Sequence, residues 1–157
     1  ECELAFVIGQ PCRHVKAEDA SSVIAGYMIA NDVTVRDWQL HTPTWTIGKS
    51  FDTHGPIGPA LVTPDEIEDP HNLDIRLYVN DEIRQDSNTS DMIYNCFDMI
   101  EYLSTVFTLE PGDIFATGTP EGVGTGFDPP KFLKVGDTVR CEIEGLGAIE
   151  NEVIPEQ

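Results

Sequence analysis

The chain opens on Glu-Cys-Glu-Leu-Ala-Phe-Val-Ile-Gly, a strand pattern with no preceding turn or cap, so residues upstream of Glu1 are expected. After Gly9 comes a polar loop holding Pro11. Glu18 to Ser22 then offers helix-start chemistry ahead of the apolar run Val23 to Ala30. From Leu40 to Asp69, Pro43, Pro56, Pro59, Pro64 and several glycines rule out a long helix and predict a loop with short strands. Loops of such length in a compact domain are usually functional.

From Leu73 the pattern becomes regular. Ile75, Leu77 and Val79 alternate with polar residues, Asn80-Asp81 supplies a turn, and Ile83-Arg84-Gln85 reads as the returning strand of a hairpin. Between Asp91 and Phe107, Met92, Cys96, Met99, Ile100, Leu103 and Phe107 recur at spacings of three and four. That spacing predicts a helix capped by Ser90 or Thr89 and ended by Pro111-Gly112. Asp113 to Thr117 reads as a short buried strand running into the glycine-rich loop Gly118 to Gly126. Val139, Cys141 and Ile143 alternate, Gly145-Leu146-Gly147 turns, and Ile149, Asn151 and Val153 return. Many short strands and few helices predict a β-rich α+β fold, with one domain over residues 1–157.

Composition narrows the partners. Against 28 Asp and Glu stand only 9 Lys and Arg, giving a formal net charge of -19. A surface of that sign lacks the clustered cations that phosphate binding needs, which argues against nucleic acid and against an anionic membrane surface. No apolar stretch reaches the roughly 20 residues that span a bilayer, and no secretory signal is seen, so a cytoplasmic protein is expected. Cys2, Cys12, Cys96 and Cys141 show no CxxC spacing and read as reduced, structural thiols.

Two lookalikes fail. Gly48-Lys49-Ser50 matches the end of a phosphate-binding loop, but that motif needs glycine where Pro43 stands. Gly122 to Gly126 follows a strand, yet Phe127-Asp128-Pro129-Pro130 bars the helix that a dinucleotide site requires. Asn88-Thr89-Ser90 fits a glycosylation sequon by chance.

The acids say more. Glu1 and Glu3 are two apart, so both carboxylates share one face of a strand, and they repel unless a cation lies between them. A solvated chain end accounts for them at least as well from position alone. Asp32 follows an apolar run closely, where a lone carboxylate is costly. Three oxygen ligands completed by water suit Mg²⁺ or Mn²⁺, and no His or Cys cluster has zinc spacing. Arg36 stands four residues after Asp32, and Lys49 sits beside Trp45, Ile47 and Phe51; on residue type alone a surface salt bridge and a snorkelling side chain explain them better than a binding role does.

Taken together, Glu1-Cys-Glu3-Leu-Ala, Asn31-Asp32-Val-Thr-Val-Arg36-Asp37-Trp-Gln39, Gly48-Lys49-Ser50-Phe51-Asp52-Thr53, Pro111-Gly112-Asp113 and Thr117-Gly118-Thr119-Pro120-Glu-Gly122-Val-Gly124 resemble the fumarylacetoacetate hydrolase family in order and spacing. The resemblance implies a mixed β-sandwich roll, usually dimeric. It places the family's metal-binding acids on Glu1, Glu3 and Asp32, around one Mg²⁺ or Mn²⁺ ion. Arg36, Gln39 and Thr119 match positions that hold the substrate carboxylate and neighbouring oxygens, and Lys49 matches the catalytic lysine beside the reacting carbon. The implied substrate is a small anionic 2-oxo or diketo acid. Hydrolytic C–C cleavage of an acylpyruvate is the first expectation, with tautomerisation, isomerisation or decarboxylation of 2-oxo acids next and a non-catalytic metal-binding domain last. The resemblance places the His-Glu pair that family hydrolases use to activate water in the segment preceding Glu1, and none of His14, His41, His54 and His71 aligns with it.

Overall fold

A computed structural model describes residues 1–156. Two four-stranded sheets form the body, and every pairing among the described residues is antiparallel. The first sheet has the order β3(Ile57–Val62), β2(Ile24–Asn31), β1(Cys2–Ile8), β6(Ile114–Ala116). The second has the order β5(Glu82–Asn88), β4(Asp74–Val79), β7(Thr138–Ile143), β8(Gly147–Glu152). One four-residue helix, α1(Arg36–Gln39), and one longer helix, α2(Cys96–Val106), complete the regular elements. This is the β-rich α+β architecture that the sequence predicts.

Strand periodicity builds the core. Cys2, Leu4, Phe6 and Ile8 of β1 and Tyr27 and Ile29 of β2 meet Ile75, Leu77 and Val79 of β4 and Val139, Cys141 and Ile143 of β7. Phe6 is fully buried and stacks on Phe115 with ring centroids 5.0 Å apart; burying such a ring contributes about 1.5–3 kcal/mol. The opposite face of β1 carries Glu1, Glu3, Ala5 and Val7, so one strand serves the core and the polar cluster at once. All four cysteines are free and buried, as expected, and burial pushes the Cys96 thiol up to about 12, which keeps it inert.

Three local expectations are corrected. The helix-start chemistry at Glu18–Ser22 yields only a 3-10 turn over Ala17–Val23, and the apolar run after it is strand β2. A continuous apolar run fits a buried strand as well as a buried helix, and pairing with both β1 and β3 decides for the strand. The helix predicted over 91–107 starts later, because Asn95 rather than Ser90 or Thr89 caps it: the Asn95 side chain accepts from Phe97 and Asp98 N–H, and Asp98 accepts from Asn95 N–H. Finally β6 is a sheet edge whose Ile114 and Ala116 are exposed, so the buried strand expected at 113–117 is only half-buried, at Asp113, Phe115 and Thr117.

The hairpin carries a bulge. Leu77 pairs with Gln85 but Tyr78 pairs with Ile83, which leaves Arg84 as the extra residue on β5. The bulge breaks the alternation, so that Ile83 is exposed while Gln85, two residues on, is buried.

Candidate functional site

Strand register assembles the acids. Cys2 of β1 pairs with Asn31 of β2, so Asp32 falls opposite Glu1, and Asp32 N–H donates to the Glu1 carbonyl at 2.9 Å. Glu1 and Glu3 project from the same face, as the period of two requires. One carboxylate oxygen from each of Glu1, Glu3 and Asp32 lies within 4.8 Å of the others. The solvated-end alternative is therefore not what the fold presents: Glu3 is only 4% exposed.

Two cations face this cluster. The loop after β2 runs into α1, whose Arg36 reaches back to Glu1 Oε1 and also donates to Gln39 Oε1 at 2.8 Å. Lys49 ends a 3-10 turn over Thr46–Lys49, and its Nζ contacts Asp32 Oδ2, Glu1 Oε2 at 2.7 Å and Thr34 Oγ1 at 3.2 Å. Gly48 makes this approach possible. A Cβ on Gly48 would stand 2.5 Å from the Gln39 backbone, so any larger residue would push the Lys49 turn away from α1. The same turn starts from Trp45 at a φ of 61°, a left-handed conformation unusual for a bulky residue.

The loop after β6 closes the third side. Thr117 donates from both its N–H and its hydroxyl to the Leu4 carbonyl, at 3.1 and 2.8 Å. Gly118 N–H donates to Glu3 Oε2 at 2.8 Å, and the Thr119 hydroxyl donates to the Cys2 carbonyl at 2.9 Å. All seven residues singled out from the sequence are thus brought to one end of the first sheet. Thr119 differs from the others in that its hydroxyl proton is already engaged by β1. Sequence reading passed over Thr34, Gly118 and Gln85. For Gln85 the only available signal was its position in the returning hairpin strand, and the bulge conceals which way it faces.

The electrostatics divide the acids. Burial works to raise the Glu1 carboxyl, but Lys49 and Arg36 outweigh it and hold Glu1 below its ordinary value. Burial dominates at Glu3 and pushes it up to about 6; the Gly118 hydrogen bond opposes this, and repulsion from Asp32 and Glu1 adds to it. Lys49 is held above its ordinary value, since Asp32 and Glu1 outweigh its burial. Glu3 has no ion-pair partner among the described residues, so a buried carboxylate is left for another cation to satisfy. Three all-oxygen donors fit a hard divalent ion. Three carboxylates against two cations leave one net negative charge, which a divalent ion would convert to one net positive charge, suited to an anion.

A pH dependence follows from Glu3. A metal ion needs the ionised carboxylate, so Mn²⁺ affinity measured by calorimetry is expected to stay level from about pH 8 to about pH 6 and then fall up to about tenfold per further pH unit. Affinity that stays level to about pH 5 would remove Glu3 from the ligand set. In the metal-free protein the sign is opposite. A carboxyl raised in the fold binds its proton more tightly than in the unfolded chain, so stability falls as pH rises from 4.5 to about 6.

Comparisons with known proteins show the family and the fold. The model of the fumarylacetoacetate (FAA) hydrolase C-terminal family matches residues 1–154. Oxaloacetate tautomerase fahd2, mitochondrial, of Xenopus laevis is 53% identical over 156 residues, covering 98% of this chain and 49% of that protein. The crystal structure of 2-hydroxyhepta-2,4-diene-1,7-dioate isomerase from Mycobacterium marinum superposes with a TM-score of 0.88 at 45% identity, over 98% of this chain and 57% of that one. Maleylpyruvate hydrolase from Sphingobium sp. SYK-6, in complex with manganese(II) and pyruvate, gives a TM-score of 0.87 at 41% identity, over 100% of this chain and 54% of that one. The chain spans about half the length of the curated relatives it matches. Several of those are named as mitochondrial, so the cytoplasmic expectation gains no support from them; among the described residues no helix is long and apolar enough to cross a membrane.

Proposed function

The chain belongs to the fumarylacetoacetate hydrolase C-terminal family, and from that premise we propose that it interconverts the keto and enol forms of a small anionic 2-oxo acid of the oxaloacetate type. Hydrolysis, the first expectation from sequence, moves to second place. The observation that carries this order is the 53% identity to an oxaloacetate tautomerase of Xenopus laevis, against 41% to a maleylpyruvate hydrolase, together with the placement of one proton-bearing group, Lys49, against the acid cluster.

Glu1, Glu3 and Asp32 would hold one Mg²⁺ or Mn²⁺ ion. Bound there, the ion supplies Lewis acidity toward the 2-oxo oxygen. Arg36 holds the substrate carboxylate, and Gln39, fixed by its bond from Arg36, turns its amide NH₂ toward a neighbouring oxygen. Thr119 borders the same space from the loop after β6. Tautomerisation moves one proton from C3 and delivers one to the C2 oxygen. Lys49, held protonated by Glu1 and Asp32, donates its proton toward that oxygen and stabilises the charge that develops on it, while solvent water takes the C3 proton and returns one to Lys49, so that no proton is gained or lost overall. A non-catalytic metal-binding domain would have no use for Lys49, Arg36 and Gln39 in this arrangement.

Hydrolysis of an acylpyruvate keeps a specific support, the likeness to a maleylpyruvate hydrolase at 41% identity. The homodimer implied by the family resemblance belongs to the proposal too. The deciding experiment gives the full-length protein oxaloacetate and acetylpyruvate separately and follows enol absorbance, CO₂ and acetate. Fast enol decay with neither CO₂ nor acetate is expected. Acetate release from acetylpyruvate without any acceleration of enol decay would reverse the order of the two readings.

A further inference from the structure

We propose that Gln85 is a positioning residue that sets the distance between the acid-bearing strand and the loop carrying Thr119; this rests on the function proposed above. Gln85 lies on β5 in the second sheet, far in sequence from every other residue of the site, and is 2% exposed. Its Oε1 accepts from Cys2 N–H at 2.9 Å, and its Nε2 donates to Thr119 Oγ1 at 2.8 Å and to the Pro120 carbonyl at 2.9 Å. Thr119 Oγ1 in turn donates to the Cys2 carbonyl at 2.9 Å. Three hydrogen bonds therefore close a ring through Cys2, the residue between Glu1 and Glu3. Both backbone polar groups of Cys2 end on this ring.

The orientation of the amide has one solution. Turned over, it would set an NH₂ against the Cys2 N–H and an oxygen against the Pro120 carbonyl and the Thr119 hydroxyl oxygen. Core packing alone would be met by Leu or Met, so a buried amide with both ends engaged has a specific task. Two features of the backbone exist to deliver it. The β-bulge at Arg84 turns Gln85 inward, and Gly122, at a φ of 103°, brings the loop against that bulge: a Cβ there would lie 1.8 Å from the Arg84 carbonyl oxygen. Because Gly118 of the same loop bonds Glu3, the ring fixes the loop relative to the acids rather than merely to the sheet.

The test separates placement of substrate from retention of the fold. Full-length Gln85→Met is loaded with Mn²⁺, and binding of Mn²⁺ and then of pyruvate, a 2-oxo acid that the assay does not consume, is measured by calorimetry. Pyruvate binding is expected to weaken about tenfold or more, the worth of the lost bonds, while Mn²⁺ binding changes less than about threefold. Adding Thr119→Val to Gln85→Met should cost little beyond the worse single change, since both break one ring. Should Gln85→Met not fold, Gln85→Glu keeps the acceptor for Cys2, loses the donor to Thr119, and should weaken pyruvate in the same direction. Unchanged pyruvate binding with only a lower melting temperature would overturn the role, as would strictly additive losses or an equal loss of Mn²⁺ affinity. If the unsubstituted protein bound Mn²⁺ but not pyruvate, the functional reading itself would fall, and this role with it.

Discussion

Lys49→Met is expected to lower turnover in the proposed tautomerisation by about 10²- to 10⁴-fold, the usual contribution of a positioned acid or base, and at the same time to raise Mn²⁺ affinity. The two effects have one origin. Lys49 Nζ contacts Asp32 Oδ2 and Glu1 Oε2, so its ammonium competes for two of the three carboxylates that would hold a divalent ion. Methionine keeps the length and apolar bulk of the stem while removing the charge, and the ion then meets no competing cation. Stopped-flow enol decay and Mn²⁺ calorimetry on the same preparation read the two halves. Turnover retained within about threefold would end the catalytic role of Lys49; unchanged turnover together with tighter metal would leave Lys49 as a counter-ion only.

Asp32→Ala is the second large effect. It removes one of three oxygens that stand within 4.8 Å of each other and frees Lys49 to pair with Glu1 alone. Loss of a direct ligand exceeds the roughly 10- to 100-fold penalty typical of outer-shell partners, so Mn²⁺ binding is expected to fall by more than about 100-fold and turnover with it. Thermal stability should change much less. Asp32 lies past the end of β2, and its backbone N–H to the Glu1 carbonyl survives the substitution. Metal affinity equal to that of the unsubstituted protein would remove Asp32 from the proposed ligand set. The pair of variants is informative together: one removes a competitor for the ion, the other removes a ligand, and they should move metal affinity in opposite directions while both depress turnover.

How far the sequence could lead is clear from particular residues. Glu1 and Glu3 share a face because strand periodicity is a property of the backbone alone, and the alternation at Ile75, Leu77 and Val79 located β4 for the same reason. The run Val23 to Ala30 was ambiguous, since a strand buried on both faces loses the alternation that would identify it. Asp32 and Lys49 could be chosen only through resemblance to a family. Their residue types fit a salt bridge or a solvated surface equally well, and what brings them to Glu1 is the β1–β2 register and the close approach at Gly48.

By itself, then, the sequence determined the strand-rich class, the hairpin, the terminal strand pair, the shared face of Glu1 and Glu3, and a charge that argues against nucleic acid. These depend on local periodicity and on composition, which need no partner element. Tertiary structure alone decided that Asp32 meets Glu1, that Lys49 and Arg36 neutralise them, that the Thr119 hydroxyl is spent on Cys2, and that Gln85 joins the two sheets at the site. Each of those contacts spans 17 to 117 residues of chain. Such contacts follow from register, a bulge and two glycine-permitted approaches, none of which leaves a periodic trace in the residues that finally touch.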